Sequence, residues 1–188
     1  MRVPSYTENQ ILIGLTISIP PPYDQPLSRA RLDSGDSDAM AIVPHITLLP
    51  PIPVERSQLE QVHAHLRHVA AQHAPFVMTL SGTGTFRPIS PTVFVIPEQG
   101  AQQCVRLHQA INRGVLAQQT RFPYRPHVTI AHDVSEAKLD AAAAGLVDFH
   151  ASFPVAAFAC YELCADQMWR ESALFQLTGK LGPGSPGR

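Results

Sequence analysis

The chain has 188 residues, 45% of them apolar, and a formal net charge of −1 at pH 7. That length supports one domain with a sizeable core, or two small lobes sharing one. A balanced charge with two lysines, Lys138 and Lys180, excludes a broad nucleic-acid surface that works by counterion release, so any phosphate site must be local.

In chain order, MRVPSYTENQ lacks a charged leader followed by a long apolar run, and residues 1–9 are expected as a flexible arm. The apolar segment ILIGLTISIP is too short to span a bilayer, so no membrane partner is expected and the protein reads as cytoplasmic. β-branched runs predict strands at about 11–19, 45–49, 76–81, 92–96, 127–131, 153–163 and 171–178. A weaker helix is expected at about 24–33. Stronger ones cover 55–73 (stripe Leu59, Val62, Leu66, Val69, Ala70), 101–118 (Cys104, Leu107, Ile111, Val115) and 135–146 (Leu139, Ala142, Ala143, Leu146, with Ser135 as cap). The Gly/Pro/Ser-rich tail, 181–188, has nothing to bury and is expected disordered.

One pattern occurs twice. VPHITLLPP is centred on His45 and RPHVTIAH on His127, 127 − 45 = 82 residues apart. Requiring Pro before the histidine and apolar residues around the threonine makes one copy a roughly 0.01-per-chain event, so the pair is informative where one copy is not. Each motif strand follows a strand and a helical segment and precedes a helix and another strand, the outline of an internal duplication. The fold class expected is α+β: one bilobal domain over 10–180, two mainly antiparallel sheets facing a central cleft, helices outside.

Side chains alternate along a strand, so His45 and Thr47 share one face while Ile46 and Leu48 take the other; His127 and Thr129 oppose Val128 and Ile130 likewise. Pro44 and Pro126 suit the first residue of a strand at a sheet margin. With the halves related by a pseudo-twofold axis, two imidazoles face each other across the cleft. A base on one side of an atom and an acid on the other, with Thr47 and Thr129 donating to an equatorial oxygen, matches displacement at a tetrahedral phosphorus. This chemistry needs no metal and no cofactor. The bland alternative, two strand-start histidines satisfied by backbone, leaves the repetition unexplained.

Other candidates are weaker. Phe86 and Arg87, in GTGTFRPISP, and Tyr124 and Arg125, before the second motif, could stack on a base or pair with phosphate. His65 and His68 have metal-ligand spacing on a helix, but with His63 they read better as a solvated face. His73, His108, His132 and His150 default to surface or satisfied positions. Cys104, Cys160 and Cys164 show no CxxC pattern and suit a reducing compartment, with Cys160 and Cys164 as small core thiols on one strand face. Trp169 is expected as a lid over the core edge.

PHITL and PHVTI resemble the two signature motifs of the two-histidine (2H) phosphoesterases, the group that contains the 2′-5′ RNA ligase-like and 2′,3′-cyclic phosphodiesterase enzymes. The resemblance spans about residues 10–180. It implies a bilobal duplicated fold and metal-independent cleavage, or reversible joining, of 2′-linked RNA phosphodiesters; the expected partner is a nucleotide or RNA 3′ end, and the protein is expected as a monomer. It also implies catalytic roles for His45 and His127, with phosphate contacts from Thr47 and Thr129. Many RNA-ligase-like relatives carry an arginine shortly after the second motif, where this chain has His132. The rival reading is a non-catalytic nucleotide or RNA-end binding module on the same fold.

Overall fold

The structure, a computed structural model, describes residues 4–180; the expected tail and the start of the expected N-terminal arm lie outside the described residues. Among the described residues, eight strands and four α-helices follow one another as β1 (Gln10–Ser18), α1 (Asp24–Ser34), β2 (His45–Glu55), α2 (Leu59–Gln72), β3 (Phe76–Thr85) and β4 (Thr92–Pro97). Then come α3 (Ala101–Ile111), β5 (Val128–His132), α4 (Glu136–Gly145), β6 (His150–Val155), β7 (Ala157–Leu163) and β8 (Trp169–Gln176). They form two four-stranded antiparallel sheets, ordered β2-β1-β7-β8 and β5-β4-β3-β6.

Each motif strand is an edge strand, paired with the strand that opens its own half. The edge position explains why β2 runs on to Glu55 through Pro50, Pro51 and Pro53, beyond the expected end at 49: an edge strand can lose ladder donors on its open side. The register slips between Ile13 and Leu15, so that Gly14 faces the Pro50-Pro51 pair and the extra residue is absorbed as a bulge.

The expected strand at 153–163 is two strands. β6 pairs with β3 in the second sheet, and β7 pairs with β1 and β8 in the first. A change of sheet must break the ladder, and it does so at Ala156. The duplication is therefore not kept as two self-contained lobes. β3, from the first half, lies beside β4 of the second, while β7 and β8 complete the first sheet.

The helices brace the halves in the same crossed way. α1 packs against β5 and α4, and α3 packs against β2. The third helix is shorter than expected: it stops at Ile111, and the Asn112 side chain closes the following turn by accepting from the Gln118 N–H (2.6 Å) and donating to its carbonyl (3.1 Å). The expected stripes are buried at Val62, Leu66, Val69 and Ala70, at Cys104, Leu107 and Ile111, and at Leu139 and Ala142. With Ile46, Leu48, Val128 and Ile130 fully buried beneath the motifs, one continuous core fixes both motif strands. No helix among the described residues is long and apolar enough to cross a membrane.

Candidate active site

His45 opens β2 opposite Ser18, and Thr47 pairs with Thr16. His127 lies just ahead of β5, where Thr129 pairs with Phe94. Both histidines and both threonines line one cleft of about 690 Å³, together with Arg31, Asp38, His132 and Asp133. The contact of β2 with β5 across the two sheets brings the copies together.

The two imidazoles are held by the same device. His45 Nδ1 lies 2.7 Å from the Val43 carbonyl and His127 Nδ1 lies 2.7 Å from the Arg125 carbonyl, in each case two residues back along the chain. A carbonyl only accepts, so each Nδ1 donates, and in the neutral ring each Nε2 keeps its lone pair. Thr47 Oγ1 is 3.1 Å from His45 Nε2 and donates to it.

Burial lowers the proton affinity of both rings, because a charged imidazolium loses hydration there. For His45 the pKa falls to about 4, with desolvation as the main cause, Arg31 and His127 adding repulsion, and the Val43 carbonyl opposing. His127 is also lowered, mainly by desolvation, with Arg125 repelling and its own carbonyl opposing. The second ring is enclosed by aromatics: Phe86 meets it edge-on at 4.9 Å between centroids and Phe94 lies at 5.4 Å. The Arg125 guanidinium sits over the Phe86 ring at 5.7 Å. These residues wall a recess of about 410 Å³ that also includes Ile96 and Tyr124.

Around His45 the neighbours differ. Thr16, Tyr161 and Trp169 border a small recess of about 20 Å³ beside His45 and Thr47. Trp169 thus opens β8 close to the first motif, its ring 3.8 Å from where a Cβ on Gly14 would stand. The Thr16 hydroxyl is buried with no hydrogen-bond partner.

Tyr124 and Arg87 are engaged within the protein. Tyr124 stacks on His108 (4.1 Å, 8° between planes) and donates its hydroxyl to the Thr47 carbonyl at 2.8 Å. His108 in turn contacts the Leu48 carbonyl through Nδ1 at 2.8 Å, so the second half clamps the first motif strand from beneath. Arg87 ion-pairs with Glu136 (2.6 Å) and Asp140 (2.8 Å) and ties the loop after β3 to α4. His65 reaches the Ile111 carbonyl and His68 reaches Gln72. Cys164 falls just past the end of β7, half-buried, and does not share the core position of Cys160. Burial pushes the Cys104 thiol up to about 12 and that of Cys160 to about 11, so neither is a ready nucleophile.

Sequence reasoning passed over Arg31. It is 8% exposed and donates from Nε to Asp36 at 2.9 Å, a carboxylate that also accepts from the Asp38 N–H. The signal was present: Leu27, Arg31 and Ser34 form the buried face of α1, and a charge in that stripe needs a reason.

Comparison with known proteins bears on the family and the fold. The family described as the 2′-5′ RNA ligase superfamily matches residues 19–167. A protein of Bacillus cytotoxicus that bears a provisional phosphoesterase name is 30% identical over 97 residues, 52% of this chain and 56% of that protein. A similarly named protein of Geobacillus kaustophilus is 29% identical over 125 residues, 66% of this chain and 71% of its own length. The match thus spans little more than half of the first relative. Among solved structures, E. coli LigT complexed with 3′-AMP superposes with a TM-score of 0.63 at 18% identity, covering 90% of this chain and 99% of that one. TT0787 of Thermus thermophilus gives 0.64 at 20% identity, covering 90% and 100%. At those identities the likeness establishes the fold; with the family match over 19–167 and the doubled His-x-Thr motif, this chain belongs to the 2′-5′ RNA ligase superfamily of two-histidine phosphoesterases.

Proposed function

We propose that this protein is a metal-independent phosphoesterase that opens 2′,3′-cyclic phosphates, or cuts 2′-5′ linkages, at nucleotide or RNA ends. The observation that carries the reading is the matched anchoring of His45 and His127, each donating through Nδ1 to the carbonyl two residues back and presenting Nε2 toward a shared cleft, where that of His45 accepts from Thr47. A binding module would gain little from two titrating rings held alike, since arginines grip phosphate better. LigT, which shares the fold, forms complexes with 3′-AMP, ATP and phosphate, which favours a nucleotide ligand here as well.

The flanks suggest a direction. The aromatic recess beside His127 suits the nucleoside, with the base stacking on Phe86 beneath Arg125; Tyr124 and Arg87 then act as internal supports. That places the leaving ribose oxygen near His127 and the attacking water near His45. In hydrolysis of a cyclic phosphate, His45 Nε2 takes a proton from water as its oxygen bonds to phosphorus. The bond from phosphorus to the ribose oxygen breaks, and that oxygen takes the Nε2 proton of His127, which enters the step as imidazolium after taking that proton from solvent. Thr129 and Thr47, whose hydroxyl turns from His45 Nε2 once that nitrogen is protonated, donate to the non-bridging oxygens as charge builds there. The stronger depression of the His45 pKa favours it as the base.

The test is incubation with 2′,3′-cyclic nucleotides and 2′-5′ dinucleotides in excess chelator, resolving products by phosphate position. Turnover unaffected by chelator, giving a single monoester isomer, is expected. Tight nucleotide binding without turnover would favour the binding module. Loss of turnover that zinc or manganese restores would replace the two-histidine mechanism with a metal-dependent one.

A further inference from the structure

We propose that Arg31 is the residue that grips the substrate phosphate in this cleft, and that Asp36 is the positioning residue that aims it. Burial lowers the proton affinity of both motif histidines, so neither ring supplies the fixed positive charge that holds an anion. Arg31 lines the same cleft from α1, a helix that packs against β5, the strand of the second motif. A guanidinium has five N–H donors in a rigid fork. Nε is fixed on Asp36 at 2.9 Å, which orients the plane and leaves the two terminal amino groups for a second, forked partner.

The support for that pair is unusually complete. Ser34 Oγ donates to the Arg31 carbonyl at 2.7 Å and accepts from the Asp36 N–H at 3.3 Å, while Asp36 Oδ1 accepts from the Asp38 N–H at 2.9 Å. The turn enters through Gly35, whose φ of 77° lies in the left-handed region where a side chain would be strained. The carboxylate side chain is 1% exposed and that of the arginine 10%. Burying such a pair is costly, and a paired hydrophobic replacement is often no less stable, so stability alone does not account for it. His132 occupies the position after the second motif and also lines the cleft, but an imidazole without a fixed charge cannot substitute for a guanidinium.

The inference uses the phosphoester reading for the substrate class, but its test does not require turnover. Inorganic phosphate serves as probe. Side-chain nitrogen NMR of the wild-type protein should show the Arg31 terminal amino signals shifting as phosphate is added, with cyclic nucleotide displacing it. Arg31→Met alone would leave Asp36 buried without its partner, so the variant to compare is Arg31→Met with Asp36→Asn, which removes both charges together. Folded by circular dichroism, it should bind phosphate about 10²-fold more weakly and show a raised KM for cyclic nucleotide. Asp36→Asn alone should raise KM more than it lowers kcat, and Arg31→Lys, which keeps charge but not the fork, should not restore affinity. No phosphate binding up to tens of millimolar, unmoved Arg31 signals on saturation, or a folded double variant that binds within threefold of wild type would each overturn the proposal. Arg31-dependent phosphate binding without phosphodiester turnover would retain it and remove the catalytic reading. Turnover that survives the double variant unchanged would do the reverse.

Discussion

The two motif copies share a mechanism of anchoring and differ in what surrounds it. Both histidines donate through Nδ1 to the carbonyl two residues back, at the same 2.7 Å. At the neighbouring strand, however, Thr16 stands opposite Thr47 where Phe94 stands opposite Thr129. One half-site therefore has a hydroxyl, Tyr161 and Trp169 nearby, and the other has Phe86, Phe94 and Arg125. The two copies keep the same His-x-Thr pair while their flanks differ, as the proposed function requires, because a phosphodiester is symmetric at phosphorus but carries different groups on its two sides.

The strongest way to break this comparison is to remove each imidazole in turn. His45→Ala and His127→Ala should each lower kcat by about 10²–10⁴, and the double variant should fall well short of the product, since the rings act in one step. Near-wild-type turnover in either folded variant would mean that the shared anchoring is architecture. Next in size is the aromatic flank. Phe86→Ala should raise KM for a nucleoside substrate by about 5- to 150-fold, from a stacking contribution of about 1–3 kcal/mol, and should ease His127 toward its ordinary pKa. The substitution should leave inorganic phosphate affinity unchanged, which isothermal titration would check.

The two half-sites should also differ in their response to pH. His45 is depressed to about 4 when folded against an ordinary value of 6.5, so between those values the unfolded chain binds more protons at this position than the folded one. Stability should therefore fall as pH drops from about 6.5 toward 4 and level off below, with a slope of at most about 1.4 kcal/mol per pH unit from this ring. His45→Gln should flatten that part of the denaturation profile more than His127→Gln does. Equal flattening would erase the electrostatic distinction between the halves.

Two smaller effects sharpen it further. Tyr124→Phe removes a hydrogen bond to the Thr47 carbonyl and should cost about 1 kcal/mol in chemical denaturation, with a modest loss of turnover because the first motif loosens. Thr16→Val replaces an unpartnered buried hydroxyl with a methyl group and should be neutral or slightly stabilising by melting temperature. Activity lost without stability lost would instead assign that hydroxyl to the water side of the reaction.

The sequence by itself determined the parts that depend on local period and repetition. Alternation along PHITL and PHVTI put His45 with Thr47 and His127 with Thr129 on the cleft face over buried Ile46, Leu48, Val128 and Ile130. The helical stripes at Val62, Leu66 and Val69 and at Cys104, Leu107 and Ile111 were legible for the same reason. Tertiary structure alone decided where strands after the first two of each half would pair: β3 crosses to the second sheet and the 153–163 run divides at Ala156, because ladder partners are chosen by distant strands. It also decided which polar side chains line the cleft. Arg87 sits in a loop expected to meet phosphate yet is held by Glu136 and Asp140, whereas Arg31 lies on a weakly patterned helix yet is turned into the cleft by Asp36. A charged side chain goes where a buried partner compensates its desolvation, and that partner is set by packing between elements, which no local pattern encodes.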